Sequence, residues 1–433
     1  MPDFASAGVN TGSKIGKARL IAACGVGNAL EFYDFVVYSF FARTIGALFF
    51  PSVDPTVQLL LSFGTYGVGF FLRPLGGIVI GAFADRRGRK PAAILTLFLM
   101  ALGTAAIGLV PTYGQIGILA PMIVVLARLV QGFSAGGEVG ASTTLLAEYA
   151  PPEQRGFFGS WQLASQGLAV LVAAGFAMTI NGVLSADQVK HWGWRIPFVL
   201  GILVMPVGLW LRSALSETHA NEATEKTRGV SALSETLREH LGKIFAGVAL
   251  IIGGTASNAV VVLYMSTYAV RQLHMTPVVG LLAGVVAGAV TLIASPVGGM
   301  LSDRFGRKPV ALVSYLLIAL AIYPAFLLLN ATPTLGVLMA TVLILSALNA
   351  TGGATIITTV AEIFPAEVRA TGMSLVYALG VAIFGGFGQF IVTWLIAWMR
   401  SPIAPAWYVI VCCAATVVGL RAIPEMAGQR LSL

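Results

Sequence analysis

The sequence predicts an all-α polytopic membrane protein of twelve transmembrane helices arranged as two pseudo-symmetric six-helix bundles, and three observations carry that prediction. The 433 residues are 57% hydrophobic and only 10% charged, far from the roughly 25% charge of soluble domains. Apolar runs long enough to cross a bilayer alternate with short charged loops. The chain also repeats itself: Gly81-Ala82-Phe83-Ala84-Asp85-Arg86-Arg87-Gly88-Arg89-Lys90-Pro91 returns as Gly299-Met300-Leu301-Ser302-Asp303-Arg304-Phe305-Gly306-Arg307-Lys308-Pro309 at an offset of 218 residues. Glu148, Pro151, Glu153 and Arg155 return as Glu362, Pro365, Glu367 and Arg369 at an offset of 214.

Taken in order, the apolar runs place spans near 20–43, 57–83, 92–110, 117–147, 157–182, 195–212, 243–269, 278–301, 310–329, 335–361, 371–398 and 406–422. Lys14, Lys17 and Arg19 before the first run imitate a signal peptide. Glu31 and Asp34 within that run, and the lack of a clear small-residue cleavage site, make it a permanent span instead. The polar stretch 213–242 reads as a solvated linker with a short amphipathic helix around Ser231 to His240. The expected division is a tail 1–19, a bundle 20–212, the linker 213–242, a bundle 243–423 and a tail 424–433.

Charge orients the chain. With both termini cytoplasmic, the inside segments hold 19 Lys and Arg and the outside loops five, the asymmetry of an N-in, C-in protein. The same distribution argues against nucleic acid as a partner despite the net charge of +8, because the positive residues are spread through short loops. Cys24, Cys412 and Cys413 lie in apolar runs without ligand spacing, and His191, His219, His240 and His274 are scattered. No metal and no cofactor are expected. Small residues recur at three- and four-residue steps, as in Gly77 and Gly81 or Gly132, Gly136 and Gly140. They allow close helix packing, and smooth faces could equally slide during a conformational cycle.

Ionisable groups inside the spans are the functional candidates, since each costs at least about 2.5–3.5 kcal/mol on insertion scales. Asn28, Glu31, Asp34 and Tyr38 share one face of the first span, and Arg128, Gln131 and Glu138 one stripe of the fourth. In one reading Arg128 pairs permanently with Asp34, Glu31 or Glu138. In the other the carboxylates Asp34, Glu31 and Glu138 exchange protons, and Arg128 with Gln131 binds an anion. Arg73 is a second anion contact or a side chain snorkelling to an interface. Gln162 and Gln166, four apart in the fifth span, suggest a cavity wall, and Tyr33, Tyr38, Tyr264, Tyr268 and Asn349 complete a candidate pocket. Asp85 and Asp303 beside Arg86, Arg89, Arg304 and Arg307 form a candidate gate latch, with Glu148, Arg155, Glu362 and Arg369 as its repeated second part. The alternative is that the loop charges only anchor orientation.

The duplicated Gly-x-x-x-Asp-Arg-x-Gly-Arg-Lys phrase at Gly81 and Gly299, together with Arg128-x-x-Gln131-Gly132, resembles the signatures of the major facilitator superfamily over essentially the whole chain. Gly27-Asn28-x-x-Glu31-x-x-Asp34-Phe35, Arg73-Pro74-x-Gly76, Gln131 to Gly136 and Gly193-Trp194-Arg195-Ile196-Pro197-Phe198 resemble its metabolite:proton symporters, which carry citrate, tricarballylate, oxoglutarate, shikimate or betaines. Ser134 departs from the glycine often found in the fourth-span signature, and no counterpart of Arg73-Pro74 precedes Asp303.

The resemblance implies a cavity lined by the first, fourth, seventh and tenth spans and alternating access by rocking bundles. It also implies proton-coupled uptake of a small organic acid across a bacterial-type inner membrane, by a monomer. The first- and fourth-span segments and the Ala42 to Pro51 region lean toward citrate-type members, hence a di- or tricarboxylate, with a betaine, oxoglutarate or shikimate carrier as the alternative. A non-transporting sensor is a weaker rival, and no nucleophile, base and orienter set supports an enzyme.

Overall fold

The computed structural model describes residues 17–87, 89–202, 240–365 and 368–429, almost all of them helical. Most of the expected N-terminal tail, the sixth span beyond residue 202, the linker up to residue 239 with most of its amphipathic helix, Glu367 and residues 430–433 lie outside the described residues. So do the side chains of Asp85, Arg86, Arg89 and Glu138. Among the described residues, eight helices are long and apolar enough to cross a membrane, a bent pair makes a ninth, and three shorter apolar helices stand at the remaining expected positions.

The first half comprises α1 (Lys17–Phe40), α2 (Pro55–Phe71 and Arg73–Arg87, joined at Leu72) and α3 (Arg89–Leu109). It continues with α4 (Leu119–Ser134 and Glu138–Tyr149, joined by a 3-10 turn), α5 (Arg155–Val183) and α6 (Gly193–Ile202 as described). The second half comprises α7 (Leu241–Arg271), α8 (Pro277–Phe305), α9 (Arg307–Ala331), α10 (Leu335–Glu362), α11 (Arg369–Met399) and α12 (Ala404–Arg421).

Local chemistry sets the ends of these helices. Asp54 caps α2 by accepting from Thr56 N–H, ahead of Pro55 at the first helical position, and that hydrogen bond holds its carboxyl below the usual range. Thr276 with Pro277 caps α8, and Thr334 caps α10. In the repeated loop Gly306 adopts φ 98°, so α8 stops and α9 starts within one residue. Glu425 folds back and accepts from the backbone N–H of Arg307 and Lys308 at the start of α9. Partial burial pulls its carboxyl up, but N–H donors from Ala427, Lys308, Arg307 and Met426 outweigh that and the net shift is downward.

Three irregularities depart from the expected spans. The first span does not end as a straight helix near 43: it bends by 64° onto a short helix, Ala42–Phe49. Ala42, Ile45, Gly46 and Phe49 form the buried stripe of that helix, and Phe49 packs edge-on against Trp194. The fourth span is interrupted at Ala135-Gly136-Gly137, where paired glycines hold a helix poorly. Finally, α7 and α11 widen into π-helical turns at Asn258–Tyr264 and Val381–Gly386, a feature that frequently marks functional sites.

Glycine sets how closely the helices approach. A Cβ on Gly132 of α4 would stand 1.6 Å from Gly69 O of α2. Between the halves, α5 and α8 meet backbone to backbone at two levels: a Cβ on Gly299 would lie 2.3 Å from Gly156 O, and one on Gly288 2.4 Å from Leu171 N beside Gly167. The other seam between the halves, α2 against α11, is closed by rings: Phe387 fills the space over Gly67 and Phe70 the space over Gly386. The close-packing role expected of the small residues is therefore met at Gly132.

Replacing Gly132 by Leu should reduce monodisperse protein after detergent extraction to near background, because the collision is with backbone and exceeds ordinary overpacking of about 1–3 kcal/mol. Gly175, whose Cβ would meet nothing within 4 Å, should accept the same change with wild-type yield.

Candidate functional site

Helices from both halves enclose a central cavity with about 80 Å³ open to the centres of water-sized molecules. That is several times the space one water needs. Its wall carries five aromatic rings, Phe32, Tyr66, Phe70, Tyr315 and Tyr377, with Gln166, Thr255, Asn258, Thr291 and Asn349 as the polar groups. The π-helical turns of α7 and α11 both reach it, through Asn258 and Val381. Gln166 Nε2 donates to Tyr377 OH at 3.3 Å, joining the halves across the cavity. No charged side chain is among its described lining residues.

The charges lie one layer behind the rings. Arg73 is 2% exposed, with its guanidinium 4.2 Å from the Phe70 ring centre and 4.8 Å from that of Phe35. The guanidinium is thus enclosed among rings of α1 and α2 rather than reaching outward from the helices. Its Nη2 is 3.6 Å from Glu31 Oε1, yet none of its nitrogens makes a hydrogen bond among the described residues. Arg128 is wholly buried under Tyr38, 3.9 Å from the ring centre.

Arg128 makes no direct ion pair with Asp34 or Glu31. Its Nη1 donates to Gln131 Oε1 at 2.9 Å, Gln131 Nε2 donates to Thr104 Oγ1 at 2.9 Å, and Thr104 Oγ1 donates to Asp34 Oδ2. An arginine and a carboxylate are thus coupled through two neutral side chains. Asp34 and Glu31 also border a smaller cavity of about 40 Å³ between α1, α3, α4 and α6.

Several expected pocket residues stand elsewhere. No described residue of α4 lines the central cavity, and Tyr38 and Tyr66 cover Arg128. Tyr33 points to α6 and donates to Pro197 O, while Tyr38 donates to Ser62 O. Gln162 is bound to Asn28 and Ser142, stapling α5 to α1 and α4. Tyr264 packs against Phe63, and Tyr268 is held by Pro402 O and Asn330. Each spends its polar atom or ring on helix packing. Of the expected pocket, Gln166 and Asn349 reach the cavity.

Thr104, Tyr315 and Tyr377 carry no marking in the sequence. A threonine in an apolar run usually bonds its own helix, as Thr351, Thr355 and Thr358 do, and Met100 O, 3.0 Å from Thr104 Oγ1, is the alternative acceptor for its one hydrogen. Tyrosines in apolar runs read as core.

At the end bearing the repeated loops, Asp303 accepts from the N–H groups of Gly156 and Phe157 at 2.8 Å each, seating one half's carboxylate on the α5 N-terminus of the other. Arg307 binds Asp303 and grips Glu362 with two hydrogen bonds of 3.1 Å. Arg369 pairs with Glu148 at 2.7 Å across the halves, and Arg155 donates to Gln429 O. Arg304 is exposed over Phe305 and lies outside this network. At the opposite end Ser39 donates to Gln389, and Arg271 to Thr56. The halves therefore touch at both ends.

Known proteins share this fold. A family described as "Sugar (and other) transporter" matches residues 20–433. The chain is 36% identical to the citrate-proton symporter of Klebsiella pneumoniae over 92% of this chain and 89% of that protein. It is 33% identical to the proline/betaine transporter of Salmonella typhimurium over 96% and 85%, and 34% identical to the alpha-ketoglutarate permease of Escherichia coli over 95% of each. The crystal structure of a D-xylose-proton symporter superposes with a TM-score of 0.73 at 19% identity, covering 96% of this chain and 99% of that one, a likeness of fold. With its helical architecture, duplicated loops and cavity between two halves, the chain belongs to the sugar (and other) transporter family of the major facilitator superfamily, membrane carriers rather than enzymes.

Proposed function

We propose that the protein is a proton-coupled symporter that imports a small organic acid, a di- or tricarboxylate such as citrate or tricarballylate, by alternating access. In this reading it lies in a bacterial-type inner membrane as a monomer with both termini cytoplasmic. Bundles 20–212 and 243–423, joined by residues 213–242, rock against each other. The observation that carries the reading is Arg73, a buried cation whose three nitrogens make no hydrogen bond among the described residues, one ring behind the cavity wall. A buried guanidinium so poorly satisfied is costly unless an anion completes it.

Coupling follows from the partners. Protonation of Glu31 removes the anion facing Arg73 at 3.6 Å, and a substrate carboxylate then takes that place once Phe70 turns aside. Protonation of Asp34 turns its carboxyl into a donor to Thr104 Oγ1, releases the single Thr104 hydrogen to Met100 O, and removes the anion at the far end of the chain that runs through Gln131 to Arg128. Glu138 is a third proton carrier on the same helix as Arg128. Co-moving protons offset substrate charge, each net positive charge driven inward contributing about 2.3 kcal/mol per 100 mV. The latch of Asp303, Arg307, Glu362, Glu148, Arg369 and Arg155, with Asp85, Arg86 and Arg89 as the repeated counterpart, holds one end shut while the other opens.

One observation favours a second substrate class: five rings and no charge among the described residues of the cavity wall suit a quaternary ammonium such as a betaine. Competition decides between them. In proteoliposomes with an inward proton gradient, citrate should displace labelled substrate and glycine betaine should not; the reverse ranking would replace the organic acid by a betaine.

Arg73→Ala should weaken uptake by the roughly 2–5 kcal/mol of losing one partner of a buried charge pair, about 30-fold or more, at unchanged yield. Full uptake in that variant would remove its assigned role. Asp34→Asn should leave exchange of internal for external substrate running but flatten the dependence of net uptake on external pH; an unaltered pH profile would shift the proton to Glu31 or Glu138. Asp303→Asn in a Ser160→Cys background should speed labelling of the buried cysteine by a water-soluble maleimide, and unchanged labelling would strip Asp303 of its gate role.

A further inference from the structure

Tyr315 belongs to α9, an outer helix, yet its side chain is wholly buried and forms part of the central cavity wall. It enters through a slot made of glycine. A Cβ on Gly254 of α7 would stand 2.6 Å from Tyr315 OH, one on Gly352 of α10 3.1 and 3.2 Å from the Cε2 and Cζ ring atoms, and one on Gly353 4.0 Å from the hydroxyl. Any side chain at Gly254 would occupy the space the hydroxyl needs. The phenol that reaches this far has no hydrogen-bond partner among the described residues.

Asn349 lies four residues before Gly353, one turn away on the same face of α10. It also lines the cavity, it is 4% exposed, and its Oδ1 has no partner among the described residues. Leaving a buried donor or acceptor unmade costs about 1–3 kcal/mol. Two such groups on neighbouring turns of one wall are therefore more informative than either alone. They are also of opposite kind: the phenol has a hydrogen to give and the amide oxygen a lone pair to fill.

The geometry points to a subsite in which Tyr315 and Asn349 read a hydroxyl group on the transported solute, so that the carrier selects hydroxylated organic acids over their deoxy counterparts. A carboxylate accepts only and would leave Asn349 Oδ1 unmade. A quaternary ammonium does neither. A hydroxyl accepts from Tyr315 OH and donates to Asn349 Oδ1 in one placement. The subsite lies on the second half, so Arg73 in the first half and this pair in the second hold opposite ends of one solute, and occupancy ties the halves together. The inference rests on the organic-acid reading above and adds to it which acids are preferred.

Two pairs of acids differ by a single hydroxyl: citrate and tricarballylate, malate and succinate. Counterflow in proteoliposomes should give the wild type a KM about tenfold or more lower for the hydroxylated member of the transported pair. Tyr315→Phe, which keeps the ring and removes only the hydroxyl, should bring that ratio close to one by raising the KM of the hydroxylated acid alone. Gly254→Ala, which pushes a methyl into the position of the hydroxyl, should do the same, and because a ratio is read, a lower folded fraction in either variant cancels. Equal KM values in the wild type, or an undiminished ratio in Tyr315→Phe, would overturn the subsite while leaving organic-acid uptake standing. Absence of counterflow with all four acids in the wild type would overturn the organic-acid reading and the subsite with it.

Discussion

Two guanidinium groups buried in an apolar interior are the constraint on which the rest of the first half depends. A cation in a low-dielectric medium interacts strongly with every charge and dipole near it, and its own desolvation is expensive. The protein meets that cost with aromatic faces. Phe35 and Phe70 lie over Arg73, and Tyr38, Phe35 and Tyr66 around Arg128. Ring quadrupoles give a cation a partner without cancelling its charge. Two of these rings, Tyr66 and Phe70, also belong to the cavity wall and stand between the charges and the cavity.

This layering explains how the site divides between the halves. The first half holds the carboxylates and arginines behind rings, and the second half supplies neutral polar groups, Asn258, Asn349, Tyr315 and Tyr377, directly on the wall. The Gln166 to Tyr377 hydrogen bond is where the two sets meet.

Much of the fold was legible because membrane helices are written in long apolar runs, and because the duplicated loop around Asp85 and Asp303 marked the two halves. The bend at Phe41 was not, since an apolar run continues through it and its stripe of Ala42, Ile45, Gly46 and Phe49 is short. The π-helical turns in α7 and α11 were equally silent, being a choice of hydrogen-bond register that side chains scarcely encode. Among site residues, Arg128, Gln131 and Asp34 could be brought together from spacing, because a charge in a span is rare and must find company. Tyr33, Tyr38, Tyr264 and Tyr268 could not be sorted into cavity and core: a tyrosine hydroxyl satisfied by a neighbouring carbonyl looks the same in sequence as one aimed at a ligand. Thr104 was hidden for the converse reason, its usual partner being its own helix.

The two seams between the halves differ in what it takes to part them. Along α5 and α8 main chain rests on main chain at Gly156 with Gly299 and at Gly167 with Gly288, and no rotamer change can relieve or loosen that contact. Along α2 and α11 the contact is made by Phe70 and Phe387 lying in hollows left by Gly386 and Gly67, and a ring can swing out by rotation about two single bonds. One edge of the molecule is thus built like a hinge pin and the other like a clasp. Under the alternating access proposed above, that asymmetry would give the two bundles a preferred axis of rotation.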